Sequence, residues 1–357
     1  MNLNNFEKIY KLDSGLVALS IKSLYKQIEQ VKEDAKLIKV TDSYKNINKV
    51  VVNGMGGSNL GARMIESCFK EELGVPLIIE PGYNVPGFVD NRTLYLLSSY
   101  SGNTEEPLSV YDKIVKKGAK IMGITSSHEK NKLEKLMIEN NIPGFIFSPL
   151  NNPSNQPRMG LGYSIFGILF ILEKTGVIKL DEDKIDRVVN NLVANSEKLI
   201  PEVNVSDNIA KKFAQKIKGK IPILVGADFL EGNLHILRNQ FCENSKNYAD
   251  YLVLPELNHY AMESLANPKN NKKNLIFWFF DSDSYNDRIK KRSELTKKIV
   301  KKNNIEFIDY KTKSSSKLSQ CSEVLQLGSW VTFYLSMLNN VNPSLIPWVD
   351  WFKEELG

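Results

Sequence analysis

VVVNGMGGSNLG, residues 50–61, is the stretch that decides the fold class of this chain. An apolar run ends at Asn53, glycines follow at 54, 56 and 57, and an amphipathic stretch begins at Ser58. This order is typical of a buried parallel strand, a tight turn and a helix. Glycines let the backbone approach a ligand closely, and the free N–H groups at a helix start bind an anion. The segment therefore predicts a βα unit that holds an anionic ligand.

A second segment, LYLLSSYSGNTEE at residues 94–106, has the same plan but is rich in hydroxyl groups. A turn of this kind in front of glutamate is also typical of a simple helix N-cap. The carboxyl ends of parallel strands meet at one edge of a sheet, where open α/β folds bind ligands. Two such loops together predict a phosphate site formed by Gly56, Gly57, Ser58, Ser99, Ser101 and Thr104.

The glycine spacing leaves one weaker alternative open and excludes another. A dinucleotide-binding fingerprint needs a third glycine at position 59, which is Asn. Glu80 does end the next predicted strand, as a ribose-binding acid would, so nicotinamide binding stays the less favoured interpretation. A P-loop is excluded because no Gly-Lys-Ser/Thr follows.

Outside these loops, short apolar runs alternate with longer amphipathic stretches. The predicted strands are residues 50–53, 76–80, 94–98, 120–125, 145–148, 221–226, 251–254, 275–281 and 306–309. The predicted helices between them are residues 58–70, 105–117, 130–140, 164–172, 184–199, 230–242, 285–302 and 319–338. This alternation predicts an α/β protein with two doubly wound parallel-sheet domains and flanking helices. We expect a helical segment over residues 1–45, one domain over 46–180 and a second over 181–357, with the boundary within 150–210.

Composition excludes several classes of protein. The 357 residues are 42% hydrophobic and 25% charged, which is typical of a globular domain pair. The longest apolar stretches, such as residues 165–172, are shorter than the roughly 18 residues of a membrane helix. No signal pattern opens the chain, so we expect a cytoplasmic protein. The basic run at 290–302 lacks aromatic residues and predicts a solvated helix face rather than a nucleic-acid site.

Cysteine and histidine are too few and too scattered for a metal site. The three cysteines, at 68, 242 and 321, form no CxxC pair, and the three histidines, at 128, 235 and 259, lack ligand spacing. We therefore expect reduced thiols and no bound metal.

The two loops and several later motifs resemble one family. GMGGS and SYSGNTEE are similar to the sugar-isomerase (SIS) domain that binds phosphosugars. The later motifs are PRMGLGY (157–163), FCEN (241–244), PELNH (255–259) and PWVDWFK (347–353). In this order, from about residue 45 to the end, they resemble the bifunctional phosphoglucose/phosphomannose isomerases, in the phosphoglucose isomerase superfamily.

The resemblance implies an aldose–ketose isomerase that works through a cis-enediol without a cofactor. It implies that Glu243 is the base, that His259 and Lys353 assist ring opening, and that Arg158 stabilises the enediolate. It also implies a homodimer in which His259 comes from the neighbouring subunit. If Lys353 has this role the C-terminus must be docked, and Trp348, Trp351 and Phe352 offer a surface to hold it.

Taken alone, each of these residues is ordinary: a carboxylate at a helix end, a loop histidine, a C-terminal lysine and a surface arginine. Two departures from the family pattern, Met159-Gly160 after the arginine and Tyr260–Glu263 after the histidine, concern the pocket shape. The alternatives are another SIS enzyme, such as an amino-sugar phosphate isomerase or deaminase, and a non-catalytic phosphosugar-binding protein. Acceptance of mannose 6-phosphate follows less strongly than isomerisation, and Ser344 is the hydroxyl that we connect with it.

Overall fold

The computed structural model describes residues 1–357 as nine strands and fifteen α-helices. The strands are β1 (Lys49–Asn53), β2 (Leu77–Ile79), β3 (Thr93–Ser98), β4 (Lys120–Ser126), β5 (Gly144–Phe147), β6 (Ile221–Ala227), β7 (Asp250–Leu254), β8 (Leu275–Asp281) and β9 (Glu306–Lys311). The helices are α1 (Phe6–Leu12), α2 (Val17–Lys22), α3 (Leu24–Asp34), α4 (Gly57–Cys68), α5 (Glu105–Ser109), α6 (Tyr111–Lys116), α7 (Lys132–Glu139), α8 (Leu161–Lys174), α9 (Glu182–Leu199), α10 (Ile209–Ile217), α11 (Glu231–Ser245), α12 (Asn271–Asn274), α13 (Asp287–Lys302), α14 (Lys317–Leu338) and α15 (Pro347–Leu356). No helix is long and apolar enough to cross a membrane.

The chain forms two compact units. One comprises Ser23–Asn190, and the other combines Met1–Lys22 with Asn191–Gly357. Each contains one sheet in which every strand pair is parallel, with order β2-β1-β3-β4-β5 in the first and β7-β6-β8-β9 in the second. The predicted α/β class is confirmed, and all nine predicted strands are present.

One hydrophobic core of the first sheet lies on the face covered by α5, α6 and α7. Val51, Tyr95 and Leu97 of the sheet are buried against Ile114 and Met137 of the helices. Every residue of β3 is buried, as expected for a strand covered on both faces. This central strand ends at Ser98, where the hydroxyl-rich loop begins.

The predicted helix over 105–117 is wrong in one detail, because it is two short helices, α5 and α6, that meet at Val110. The Ser109 hydroxyl donates to the Glu106 carbonyl (2.8 Å). Such side-chain bonds offer the backbone an alternative partner, here next to the interruption.

The second unit is built around α14. Every residue of this helix after Lys317 is buried, and it packs against α10, α11 and α2. The helix is therefore covered on all sides, and polar residues such as Ser329 and Thr332 bond within it or to α11. The N-terminal helix α2 thus completes the core of the C-terminal unit.

A buried lysine ties the N-terminal segment to this unit. Lys211 is 0% exposed, and its ammonium donates to the carbonyls of Leu3, Pro201 and Val203, each at 2.7 Å. Three donors therefore meet three acceptors, which satisfies the buried charge. Burial still lowers the pKa of Lys211 to about 8.

Candidate active site

The two predicted phosphate loops lie side by side at the carboxyl edge of the first sheet. The first follows β1 and the second follows the adjacent β3. The Ser98 hydroxyl donates to the Ser58 carbonyl (2.6 Å), and the Tyr100 N–H donates to Ser58 Oγ (2.8 Å). A Cβ at Gly54 would lie 2.6 Å from the Ser98 carbonyl oxygen, so only glycine permits this approach. The loops form one joined surface.

The first loop enters α4 through glycines. Gly56 has φ +48°, a backbone conformation that residues other than glycine rarely adopt. Gly57 is the first residue of the helix. The N–H groups in the first turn of a helix lack carbonyl partners from a preceding turn. Here the N–H groups of Ser58 and Asn59 donate to the carbonyls of Met55 (3.0 Å) and Gly56 (3.2 Å), which leaves those of Gly56 and Gly57 for an anion at this edge.

The hydroxyl groups keep hydrogens to donate. Ser58 Oγ accepts from Tyr100 and Ser101 Oγ accepts from the Asn103 N–H (3.3 Å), so each retains its own O–H hydrogen. Ser99 Oγ and Thr104 Oγ1 are 2.7 Å apart and share one hydrogen, which leaves the second one free. Three hydroxyl hydrogens are thus available at this edge, and phosphate oxygens accept hydrogen bonds of this kind.

Arg158 lies beside the first loop, in the same unit. It is 1% exposed, and its Nη1 donates to Gln156 Oε1 (2.8 Å). A Cβ at Gly57 would lie 3.0 Å from the carbonyl carbon of Pro157 and 3.1 Å from the Arg158 nitrogen. The structure therefore brings this predicted residue to the phosphate loops, and as a buried guanidinium rather than a surface cation.

Asn152 fixes the turn that carries Arg158. Its amide nitrogen donates to the Tyr100 hydroxyl (2.7 Å) and to the Gln156 carbonyl (3.0 Å). Burial raises the pKa of Tyr100 well above its usual value, so this phenol stays neutral. Tyr100 belongs to the second loop, and the arginine turn and both loops thus form one hydrogen-bonded group.

The equivalent edge of the second sheet is closed by a tyrosine that the sequence analysis missed. Tyr285 is 3% exposed, and its hydroxyl donates to the Phe280 carbonyl (3.2 Å) and accepts from the Ala227 N–H (3.0 Å). Ala227 is the last residue of β6 and Phe280 the last but one of the adjacent strand β8. At the carboxyl edge of the second sheet, the Tyr285 side chain therefore occupies the position at which the first sheet has its hydroxyl and N–H donors.

The other three predicted residues lie in the second unit. Glu243 is half-buried near the end of α11, His259 is exposed in a short 3₁₀ turn, and Lys353 is exposed in α15. The carbonyl of Glu243 accepts from the ammonium of Lys246 (2.9 Å), which also donates to the Asn342 carbonyl (2.7 Å). The end of α11 is thus bonded to the segment that leads into α15.

Helix α13 holds the turn that carries His259. The amide nitrogen of Asn258 donates to Thr296 Oγ1 (2.8 Å), and its oxygen accepts from Arg292 Nη1 (3.1 Å). Thr296 is 2% exposed. Neither helix residue was singled out by sequence analysis, because 34 or more positions separate each from Asn258 and no local pattern records the pairing.

The C-terminal helix has no buried residue in the single chain. Trp348, Trp351 and Phe352 are 81%, 54% and 58% exposed. They lie on the same helix as Lys353, as predicted, but the chain itself does not cover them. Ser344, just before this helix, is buried and donates to Asn342 Oδ1 (2.7 Å).

Comparison with known proteins places the chain among sugar-phosphate enzymes. Residues 206–356 match the family model of the bacterial phospho-glucose isomerase C-terminal SIS domain. A bifunctional phosphoglucose/phosphomannose isomerase of Caldicellulosiruptor bescii is 32% identical over 95% of this chain and 98% of its own length. One from Aquifex aeolicus is 30% identical, with 98% of each chain covered. Among solved structures, a hypothetical protein from Thermus thermophilus has a TM-score of 0.76 at 15% identity, covering 98% of this chain and 93% of that one, a likeness of fold alone.

Proposed function

Because the chain belongs to the bifunctional phosphoglucose/phosphomannose isomerase family, we propose that it interconverts glucose 6-phosphate with fructose 6-phosphate. We propose that mannose 6-phosphate is a second aldose substrate and that the enzyme acts in the cytoplasm. The observation that carries the proposal is the joined pair of hydroxyl loops with the buried Arg158 beside them.

The substrate phosphate binds at the carboxyl edge of the first sheet. The hydroxyls of Ser58, Ser101 and the Ser99–Thr104 pair donate to its oxygens, together with the N–H groups of Gly56 and Gly57. Hydrogen bonds to an ionised acceptor are stronger than those between neutral groups. The positive end of the α4 dipole adds to this attraction.

Glu243 moves the proton. It removes the proton from C2 of the open-chain aldose, a proton moves from O2 to O1 within the cis-enediolate, and Glu243 returns its proton to C1, which leaves the ketose. No electron leaves the sugar, so the reaction needs no redox partner. The guanidinium of Arg158 stabilises the negative charge that develops on the enediolate oxygens.

Ring opening precedes this step. His259 and Lys353 assist the transfer of the anomeric hydroxyl proton to the ring oxygen. The exposure of both side chains in the single chain supports a site completed by a second copy. We propose a homodimer in which the partner supplies His259 and covers the apolar rings of α15.

A coupled assay of the purified protein tests this function. We expect turnover of glucose 6-phosphate and mannose 6-phosphate to fructose 6-phosphate, and none of glucosamine 6-phosphate. Absence of turnover with both aldose phosphates in folded protein would contradict the proposal. Ammonia release from glucosamine 6-phosphate would instead indicate a deaminase.

A further inference from the structure

The second phosphate loop is held from behind by the segment that follows β4. Three consecutive residues of the loop accept hydrogen bonds from it. His128 Nε2 lies 2.7 Å from the Ser101 carbonyl, the Leu133 N–H donates to the Gly102 carbonyl (2.9 Å), and the Lys132 N–H donates to Asn103 Oδ1 (3.2 Å). Because a carbonyl only accepts, His128 Nε2 carries a hydrogen.

The supporting segment is itself fixed. Asn131 is 4% exposed, caps α7 by accepting from the Glu134 N–H (2.8 Å), and donates to Thr125 Oγ1 (2.7 Å) and to the Ser126 carbonyl. Gly102, at φ +65°, lies so close to this amide that a Cβ there would overlap it. The loop thus rests on a buried and fully bonded side chain.

Both backbone groups of His128 are bonded as well. Its N–H donates to Glu134 Oε2 (3.2 Å), and its carbonyl accepts from the Asn131 N–H (3.0 Å). The imidazole therefore extends from a fixed backbone although the side chain is exposed.

These bonds orient the Ser101 hydroxyl. In a trans peptide the carbonyl and the N–H point in opposite directions. One such peptide joins Gly102 to Asn103. Its carbonyl, from Gly102, accepts from the Leu133 N–H, and its N–H, from Asn103, therefore points the other way and donates to Ser101 Oγ (3.3 Å). With that lone pair occupied, Ser101 has its O–H hydrogen to give to a ligand. Hydrogen bonds in a chain also polarise one another, which strengthens the last donor.

We propose that His128 is a positioning residue for phosphate binding. Its hydrogen bond fixes the peptide that joins Ser101 to Gly102, whose N–H donates on the opposite side to the Ser99 carbonyl (3.1 Å). This holds the backbone that carries the Ser101 hydroxyl. This inference rests on the proposed phosphate site and assigns to that site a residue that does not touch the ligand.

The test compares His128→Ala, His128→Gln and the control Glu129→Ala, an exposed neighbour. One hydrogen bond corresponds to a roughly five- to tenfold change in affinity. We expect His128→Ala to raise KM for fructose 6-phosphate by that factor, with kcat within about twofold of wild type. The Kd for inorganic phosphate, measured by calorimetry, rises by the same factor. His128→Gln, whose amide also donates, restores most of the affinity, and Glu129→Ala changes neither constant.

Several results would overturn the inference: unchanged KM and Kd in His128→Ala, or a loss of kcat at constant KM. If His128→Ala unfolds, His128→Leu replaces it, since it keeps more of the side-chain bulk but removes the donor to the Ser101 carbonyl; unchanged phosphate affinity there is equally fatal. A wild-type protein that binds inorganic phosphate but turns over no sugar phosphate would refute the proposed function. The Kd values for inorganic phosphate would then decide this inference by themselves. A wild-type protein that binds no inorganic phosphate would refute both.

Discussion

Glu243 is oriented by the residues around it on α11. Gln240 Oε1 accepts from the Ser329 hydroxyl (3.0 Å), and the Asn244 amide donates to Thr332 Oγ1 (3.0 Å). Both contacts are buried and fix the rotation of the helix about its axis. Glu243 lies between them in sequence, so these contacts fix the part of α11 that carries it.

Glu243→Gln removes the base and keeps the size of the side chain. We expect kcat for fructose 6-phosphate to fall by about 10²- to 10⁴-fold, because general-base catalysis contributes that much. Substrate affinity, measured by calorimetry, stays within about threefold, since the phosphate contacts lie elsewhere. Glu294→Gln on the exposed face of α13 is the matched control. Near-normal turnover of Glu243→Gln would remove this residue from the mechanism.

Lys211 is a single residue whose replacement is expected to change the free energy of unfolding rather than catalysis. Lys211→Met leaves the carbonyls of Leu3, Pro201 and Val203 without their donor. Orphaned buried acceptors lower the unfolding free energy by about 3 kcal/mol. The exposed neighbour Lys212→Met is the control, and urea unfolding measures both. Equal midpoints for the two variants would show that the ammonium contributes nothing.

The pH dependence of this effect has a definite sign. The folded-state pKa of Lys211 is about 8 and the unfolded value is 10.5. Between these values the unfolded chain binds a proton that the folded chain has released, so stability rises with pH. The stability of wild type relative to Lys211→Met is therefore greater at pH 9.5 than at pH 7.5. A difference that shrinks over this range would contradict the lowered pKa.

At the scale of elements, the contact between α13 and the His259 turn yields a kinetic prediction. Asn258→Ala breaks the bonds to Thr296 and Arg292. A mobile turn misplaces His259, and we expect kcat to fall by about tenfold with little change in phosphate affinity. Glu256→Ala, on an exposed residue of the same turn, is the control. The proposed role of this contact fails if both variants have wild-type kcat.

The elements themselves were largely predictable because they depend on local pattern. Buried strands of parallel sheets are short continuous apolar runs, and such runs marked β1 through β9 within a few residues. The interruption between α5 and α6 at Val110 is a local backbone feature that a window of hydrophobicity does not register. The Tyr285 and Asn258 contacts join residues far apart in the chain, and no local rule predicts them.

At the scale of the whole molecule, chain order was a poor guide to which segments pack together. The helical character of the first residues was predictable, but their place in the C-terminal unit depends on contacts such as those of Lys211 with Leu3. Likewise, the sequence identified Arg158 only through the family resemblance. Its burial follows from the turn held by Asn152 and Tyr100, a tertiary arrangement.

The proposed dimer makes a prediction that no single variant can test. In a symmetric pair, each site takes Glu243 from one chain and His259 from the other. A dimer of one Glu243→Gln chain and one His259→Ala chain then has one site with both defects and one site with neither. Two affinity tags on co-expressed chains isolate this species. We expect it to have about half of the wild-type kcat per dimer, whereas each homodimeric variant is nearly inactive.

If both residues of a site come from the same chain, every site in the mixed dimer carries one defect and activity does not return. If no doubly tagged species forms, the chain does not dimerise and His259 does not act across an interface.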